Sequence, residues 1–207
     1  MVPVRTKKIV AVTGGIGSGK SIISRILSIM GYPVYDSDSE AKRLMETSSD
    51  ILTFLKENFG DKIVYQGRIN RSLLAEIVFN DKSQLAKLNK IVHRQVLIDF
   101  ERWATNQNSN IVFVETALLY QSGLDKKVDI VWDVIAEENL RINRVMKRNN
   151  LTKNQVMARI ESQHFIPQAL HPHVLTIIND DVTPVLPAIL IGLDSIRGMM
   201  SGQCDME

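Results

Sequence analysis

An apolar, β-branched run, Ile9-Val10-Ala11-Val12, leads almost directly into Gly14-Gly15-Ile16-Gly17-Ser18-Gly19-Lys20-Ser21, which fits G-x-x-x-x-G-K-[ST]. A strand, a glycine-rich turn and a helix opening at about Lys20 are the only local structure this order suits. The glycines let successive backbone N–H groups turn inward around an anion, where side chains would clash. The helix behind them adds the positive end of its dipole. Gly14, Gly15, Ile16, Gly17, Ser18, Gly19, Lys20 and Ser21 are therefore candidate ATP ligands. Lys20 would reach the β- and γ-phosphates, and the Ser21 hydroxyl would ligate Mg²⁺.

The remaining pattern agrees with that unit. Residues 34–35, 111–114, 130–135 and 174–178 are short, nearly continuous hydrophobic runs, as strands covered on both faces are. Amphipathic segments separate them. Together they predict an α/β, three-layer, P-loop NTPase-type fold with a five-stranded parallel sheet. With 207 residues, 44% hydrophobic and 23% charged, the composition is globular, and one kinase-like domain over 1–207 is expected.

Residues 47–107 hold no convincing strand and read as a helical insertion on the substrate side, with helices near 71–79 and 82–103. Asp81 with Gln84 resembles a capping box, and Leu85, Leu88, Val92, Val96, Phe100 and Trp103 form one apolar stripe. Residues from about 139 to 165 read as a short helical lid. Arg141, Arg144 and Arg148 fall on one helical face, and Thr152 with Gln155 opens a second helix bearing Arg159. Arginines closing over phosphates would neutralise developing charge and expel water.

Asp36-Ser37-Asp38 follows the second strand, at the sheet edge where open parallel sheets bind ligands. In an extended stretch both carboxylates would face the same way. One of them is suited to accept the proton of an alcohol under phosphorylation; the other reading is a helix cap. Glu115, ending the third strand, is a candidate for holding Mg²⁺ through water or for touching substrate. No N-K-x-D occurs, which excludes the guanine-specific GTPases and leaves small-molecule kinases and ATP-driven switches.

The 25 basic and 23 acidic residues leave a formal charge of +2, no electrostatic footprint for nucleic acid or an anionic membrane. No apolar run approaches the roughly 20 residues of a membrane span. The four apolar residues after the basic start are too few for a secretory signal, and the single cysteine, Cys204, suits a reducing compartment. A cytoplasmic protein is expected. His164, His171 and His173 match no zinc spacing, Trp103 and Trp132 read as packing residues, and Asn179 and Asp180 are weak candidates for the adenine loop.

As a set, VTGGIGSGKS, VYDSDSEAKRL, GRINRSLLAEIVFND, the helix ending at His93, VETALLYQSGLD, LRINRVMKRNNLTKNQVMARIESQ and, more weakly, IIND resemble the dephospho-coenzyme A kinase family over most of the chain. The resemblance implies transfer of the ATP γ-phosphoryl group to the ribose 3′-hydroxyl of dephospho-CoA, the last step of coenzyme A synthesis. It implies Asp38 as the base and Arg141 as the lid arginine on the transferring phosphate, with Lys20 in its P-loop role. Arg144 and Arg148 join as further ATP contacts, and Asp36, Arg71, His93 and Glu115 as acceptor contacts. ATP and Mg²⁺ are the implied cofactors, and a monomer or weak homo-oligomer without nucleic-acid or membrane partners is expected. Three positions depart from the family pattern. Glu115-Thr116-Ala117 stands where aspartate then proline is common, Gln121 where a glutamate is common, and Arg94 where proline follows the histidine. A shikimate- or gluconate-type kinase and a non-catalytic ATP switch are the alternatives.

Overall fold

The computed structural model describes residues 7–163 and 170–201. His164 and Cys204 lie outside the described residues. In chain order the elements are β1 (Lys8–Thr13), α1 (Lys20–Ile29), β2 (Val34–Asp36), α2 (Ser37–Thr47), α3 (Ser49–Phe59), β3 (Val64–Tyr65), β4 (Arg68–Ile69), α4 (Arg71–Asn80) and α5 (Lys82–Thr105). They continue with β5 (Ile111–Glu115), α6 (Leu119–Ser122), β6 (Ile130–Ile135), α7 (Glu138–Asn149), α8 (Lys153–Ser162), β7 (Val174–Ile178) and α9 (Val185–Ser201). Two compact units emerge, residues 1–34 with 107–207, and residues 35–106. The second starts about a dozen residues before the expected insertion, because the chain changes unit inside β2.

The first unit is built on the expected five-stranded parallel sheet, in the order β2-β5-β1-β6-β7. β1 lies between β5 and β6, with Val10 beside Phe113 on one side and Ile130 on the other. Its residues from Ile9 to Val12 are fully buried, so the strand reads as unbroken hydrophobics. Trp132 packs against Phe113 with ring centroids 5.3 Å apart, and Ile23 and Leu27 of α1 and Ile189, Leu193 and Ile196 of α9 close the same core. Helix α9 can lie this close to the sheet because residue 192 is glycine. A Cβ there would sit 2.6 Å from the Trp132 indole.

The segment from 138 to 162 forms two helices, α7 and α8, joined through Asn150 in the left-handed region (φ 52°). Thr152 and Gln155 make the full capping box. Ile142, Val145 and Val156 form a small core of their own, and Ile16 of the glycine-rich loop packs into it.

The second unit holds α2 to α5 and a short antiparallel hairpin of β3 and β4, a strand pair absent from the sequence reading. Each strand has two residues, too few for alternation to register. The turn is marked instead by positive φ at Gln66 (48°) and Gly67 (75°), the type I′ geometry that suits strand twist. At the start of α5, Asp81 accepts from the Ser83 and Gln84 N–H groups, but the buried Gln84 Oε1 has no partner. The motif is a single-sided cap rather than a box. Along α5, Leu88, Val96 and Phe100 are buried as the stripe predicts, whereas Leu85 is exposed.

Candidate active site

The loop between β1 and α1 is held from several sides within the first unit. Gly19 is the residue before α1 and has φ 98°, a conformation that L side chains avoid. A Cβ on it would collide with the Asn179 amide. Asn179, immediately after β7 and itself buried, donates from Nδ2 to the Ser18 carbonyl at 2.8 Å. No side chain caps α1, and the helix starts directly behind the loop, so its positive dipole end suits an anion there. Lys20 is buried, with Nζ donating to the Gly14 and Gly15 carbonyls at 2.8 and 3.2 Å.

Two of the three α7 arginines meet this loop. Arg141 Nε donates to the Ile16 carbonyl at 2.9 Å, and its guanidinium covers Gly15 so closely that a Cβ there would overlap it. Arg144 donates to the Gly17 carbonyl at 3.2 Å and the Asn179 carbonyl at 3.0 Å, and pairs with Asp181. Arg148 is at the exposed end of α7, its Nε on Asn149 Oδ1. Sequence reasoning missed Gln163, at the end of α8, which accepts the Ile16 N–H through Oε1 at 2.8 Å. Ile16 is thus gripped at its N–H from the end of α8 and at its carbonyl from α7. Gln121, a departure from the family pattern, donates to the Gln163 carbonyl at 3.3 Å.

Asp133 was missed too, although a charge inside the apolar run IVWDVI was the available signal. It pairs in register with Thr13 at the end of β1. Burial raises its carboxyl above the ordinary aspartate value, while the nearby Lys20 charge pulls the other way. Glu115 ends β5, half-buried, as expected. Among the described residues no group of three His, Cys, Asp or Glu side chains could hold a metal alone. Mg²⁺ in a nucleotide site takes most of its oxygens from phosphate and water and needs only one or two from the chain. The exposed Ser21 at the start of α1 offers such an oxygen.

In the second unit the D-S-D stretch differs from its expected extended form. Asp36 is the N-cap of α2, and Ser37 and Asp38 lie in its first turn, so the two carboxylates do not follow strand alternation. Asp36 Oδ1 accepts from Asp38 N–H at 3.0 Å and Ser39 N–H at 3.2 Å, and Oδ2 accepts from the Ser39 hydroxyl at 2.6 Å. The cap reading therefore describes Asp36, and Asp38 is exposed on the turn that Asp36 holds. Arg71 opens α4, pairs with Glu46 and lines a cleft of about 600 Å³ with Arg68 and Gln66. His93 is half-buried on α5.

Comparison with known proteins decides among the kinases. The dephospho-CoA kinase family model matches residues 8–182. The chain belongs to the dephospho-CoA kinase family. A dephospho-CoA kinase of Bacteroides fragilis is 36% identical over 182 residues, covering 87% of this chain and 89% of that protein. A Thermus thermophilus protein of known crystal structure superposes with a TM-score of 0.72 at 30% identity, over 93% of this chain and 97% of that one. The Campylobacter jejuni dephospho-CoA kinase shares the fold, with a TM-score of 0.60 at 24% identity over 95% and 99%. The reaction is the ATP-dependent phosphorylation of dephospho-CoA in coenzyme A synthesis, and the shikimate, gluconate and switch alternatives give way to it. Among the described residues no helix is long and apolar enough to cross a membrane.

Proposed function

We propose that this dephospho-CoA kinase performs its reaction with Lys20, Arg141 and Asp38 as the catalytic side chains. The loop N–H groups from Gly14 to Ser21 bind the ATP phosphates. Asp38 accepts the proton of the ribose 3′-hydroxyl as that oxygen bonds to the γ-phosphorus. The bond from the γ-phosphorus to the bridging oxygen breaks, and ADP leaves with the electron pair. Lys20 and Arg141 offset the negative charge gathering on the transferring group and on the leaving oxygen. Arg144 and Arg148 add further ATP contacts, and Asp36, Arg71, His93 and Glu115 the acceptor contacts. Ser21 Oγ is the chain's ligand for Mg²⁺, which when bound neutralises phosphate charge. The enzyme works in the cytoplasm as a monomer or weak homo-oligomer.

The observation that carries this reading is the hold of Arg141 and Lys20 on successive carbonyls of one anion-binding loop, Ile16 for the first and Gly14 and Gly15 for the second. Steady-state kinetics of Asp38→Asn and Arg141→Ala test it. Each should lower kcat by roughly 10²–10⁴-fold, with Asp38→Asn keeping its affinity for ATP. A wild-type kcat in Asp38→Asn removes Asp38 as the base.

A further inference from the structure

We infer that Asp99, on α5, is a positioning residue for Asp38. The inference rests on the assignment of Asp38 as base and adds what holds it. Asp99 lies 61 residues beyond Asp38 in the sequence, yet it touches the chain on both sides of it. One oxygen, Oδ2, accepts from the Tyr35 hydroxyl at 2.8 Å and from Arg43 Nη2 at 2.7 Å. Tyr35 ends three residues before Asp38, on β2, and Arg43 follows it by five, on α2. Between them, both oxygens of Asp36 are occupied in capping the same turn. The first turn of α2 is thus fixed at its entry by Tyr35, at its cap by Asp36 and further along the helix by Arg43.

The bonds to Asp99 are better placed to hold geometry than a surface ion pair. Tyr35 is only 3% exposed and the Asp99 side chain 19%, so water competes weakly for the hydroxyl contact. The Tyr35 ring is seated against Phe100 and Trp103 of α5, with centroids 5.3 Å away from each. Burial, and then the bond to Asp99, hold the Tyr35 hydroxyl far above the ordinary tyrosine range, so it stays a donor at every working pH. Arg43 is clamped a second time by Glu40, one turn back on α2. Neighbouring rings therefore set where Tyr35 sits, and Asp99 transmits that position to α2.

Catalytic geometry is steep in distance, and a displacement of about 1 Å can cost on the order of 100-fold in rate. Tyr35→Phe removes one bond and leaves the ring packing intact. Asp99→Asn keeps an acceptor for Tyr35 but loses the charge that Arg43 pairs with. Each variant should lower kcat by roughly 10–100-fold, leave the KM for ATP within about two-fold, and keep the wild-type circular dichroism spectrum. The deciding readout is a cycle with Asp38→Asn. In that background Tyr35→Phe and Asp99→Asn should cost no further kcat, because they act through a carboxylate already gone. Wild-type kcat in both single variants, alongside an inactive Asp38→Asn, overturns the positioning role and leaves the base assignment standing. Losses that multiply independently across the cycle overturn it as well. An Asp38→Asn enzyme with full activity overturns the base assignment itself, and the positioning role with it.

Discussion

The contact between Gly19 and Asn179 allows one substitution pair to be worked through in energies. In Gly19→Ala the new methyl group must occupy the place of the Asn179 amide. Two costs follow. The backbone at φ 98° disfavours any L side chain, by roughly 1–2 kcal/mol. Displacing the amide breaks the buried 2.8 Å bond to the Ser18 carbonyl, at roughly 1–3 kcal/mol. The single variant should therefore lose about 2–5 kcal/mol in urea unfolding. Asn179→Ala alone should lose only the second amount, about 1–3 kcal/mol. In the double variant the methyl has room and the bond is already missing, so only the backbone cost is added to that of Asn179→Ala. The cycle should show a coupling of roughly 1–3 kcal/mol. Additive losses from the two substitutions would refute the claim that Asn179 is the strut supporting the loop.

Other consequences are as direct. Asp133 has a carboxyl raised by burial, so its ionisation is unfavourable to folding. Its contribution to stability is complete below the ordinary aspartate value and is lost as pH rises through the raised one. Asp133→Asn should then be more stable than the wild type at neutral pH, and the difference should vanish in acid; thermal melts across pH 3–8 would read it. Gly192→Ala forces a methyl against Trp132 and Leu175 and should cost about 1–3 kcal/mol by overpacking, measurable as a lower unfolding midpoint. Gln163→Ala removes the acceptor for the Ile16 N–H and should raise the KM for ATP while hydrogen exchange at Ile16 accelerates.

Much of this site could be read locally. The loop from Gly14 to Ser21 announces itself because its constraint lies within eight consecutive residues, and the start of α8 because Thr152 and Gln155 are three apart. What escaped the sequence is what distant segments decide. Gln163 reaches the loop from 147 residues away with nothing in its own neighbourhood to mark a partner, and Asn179, 161 residues away, is legible only as a weak adenine-loop candidate and not as the partner of the Ser18 carbonyl. The D-S-D stretch was legible in composition but not in geometry. Extended backbone would have paired the two carboxylates, yet an aspartate before a helix satisfies its first-turn N–H groups better than strand alternation does, and Asp36 caps. Helix α2 carries few apolar residues and buries only Leu44 among them, and α3, although richer in apolar residues, buries only Ile51 and Leu55, so neither shows a long stripe like that of α5.

The most direct test of the account is coupled ADP release with ATP and Mg²⁺, offered dephospho-CoA, shikimate, gluconate or no acceptor. Release should be rapid with dephospho-CoA alone, and the product heavier by one phosphoryl group on the ribose 3′-oxygen. Release that proceeds equally without an acceptor, or only with another alcohol, would contradict it.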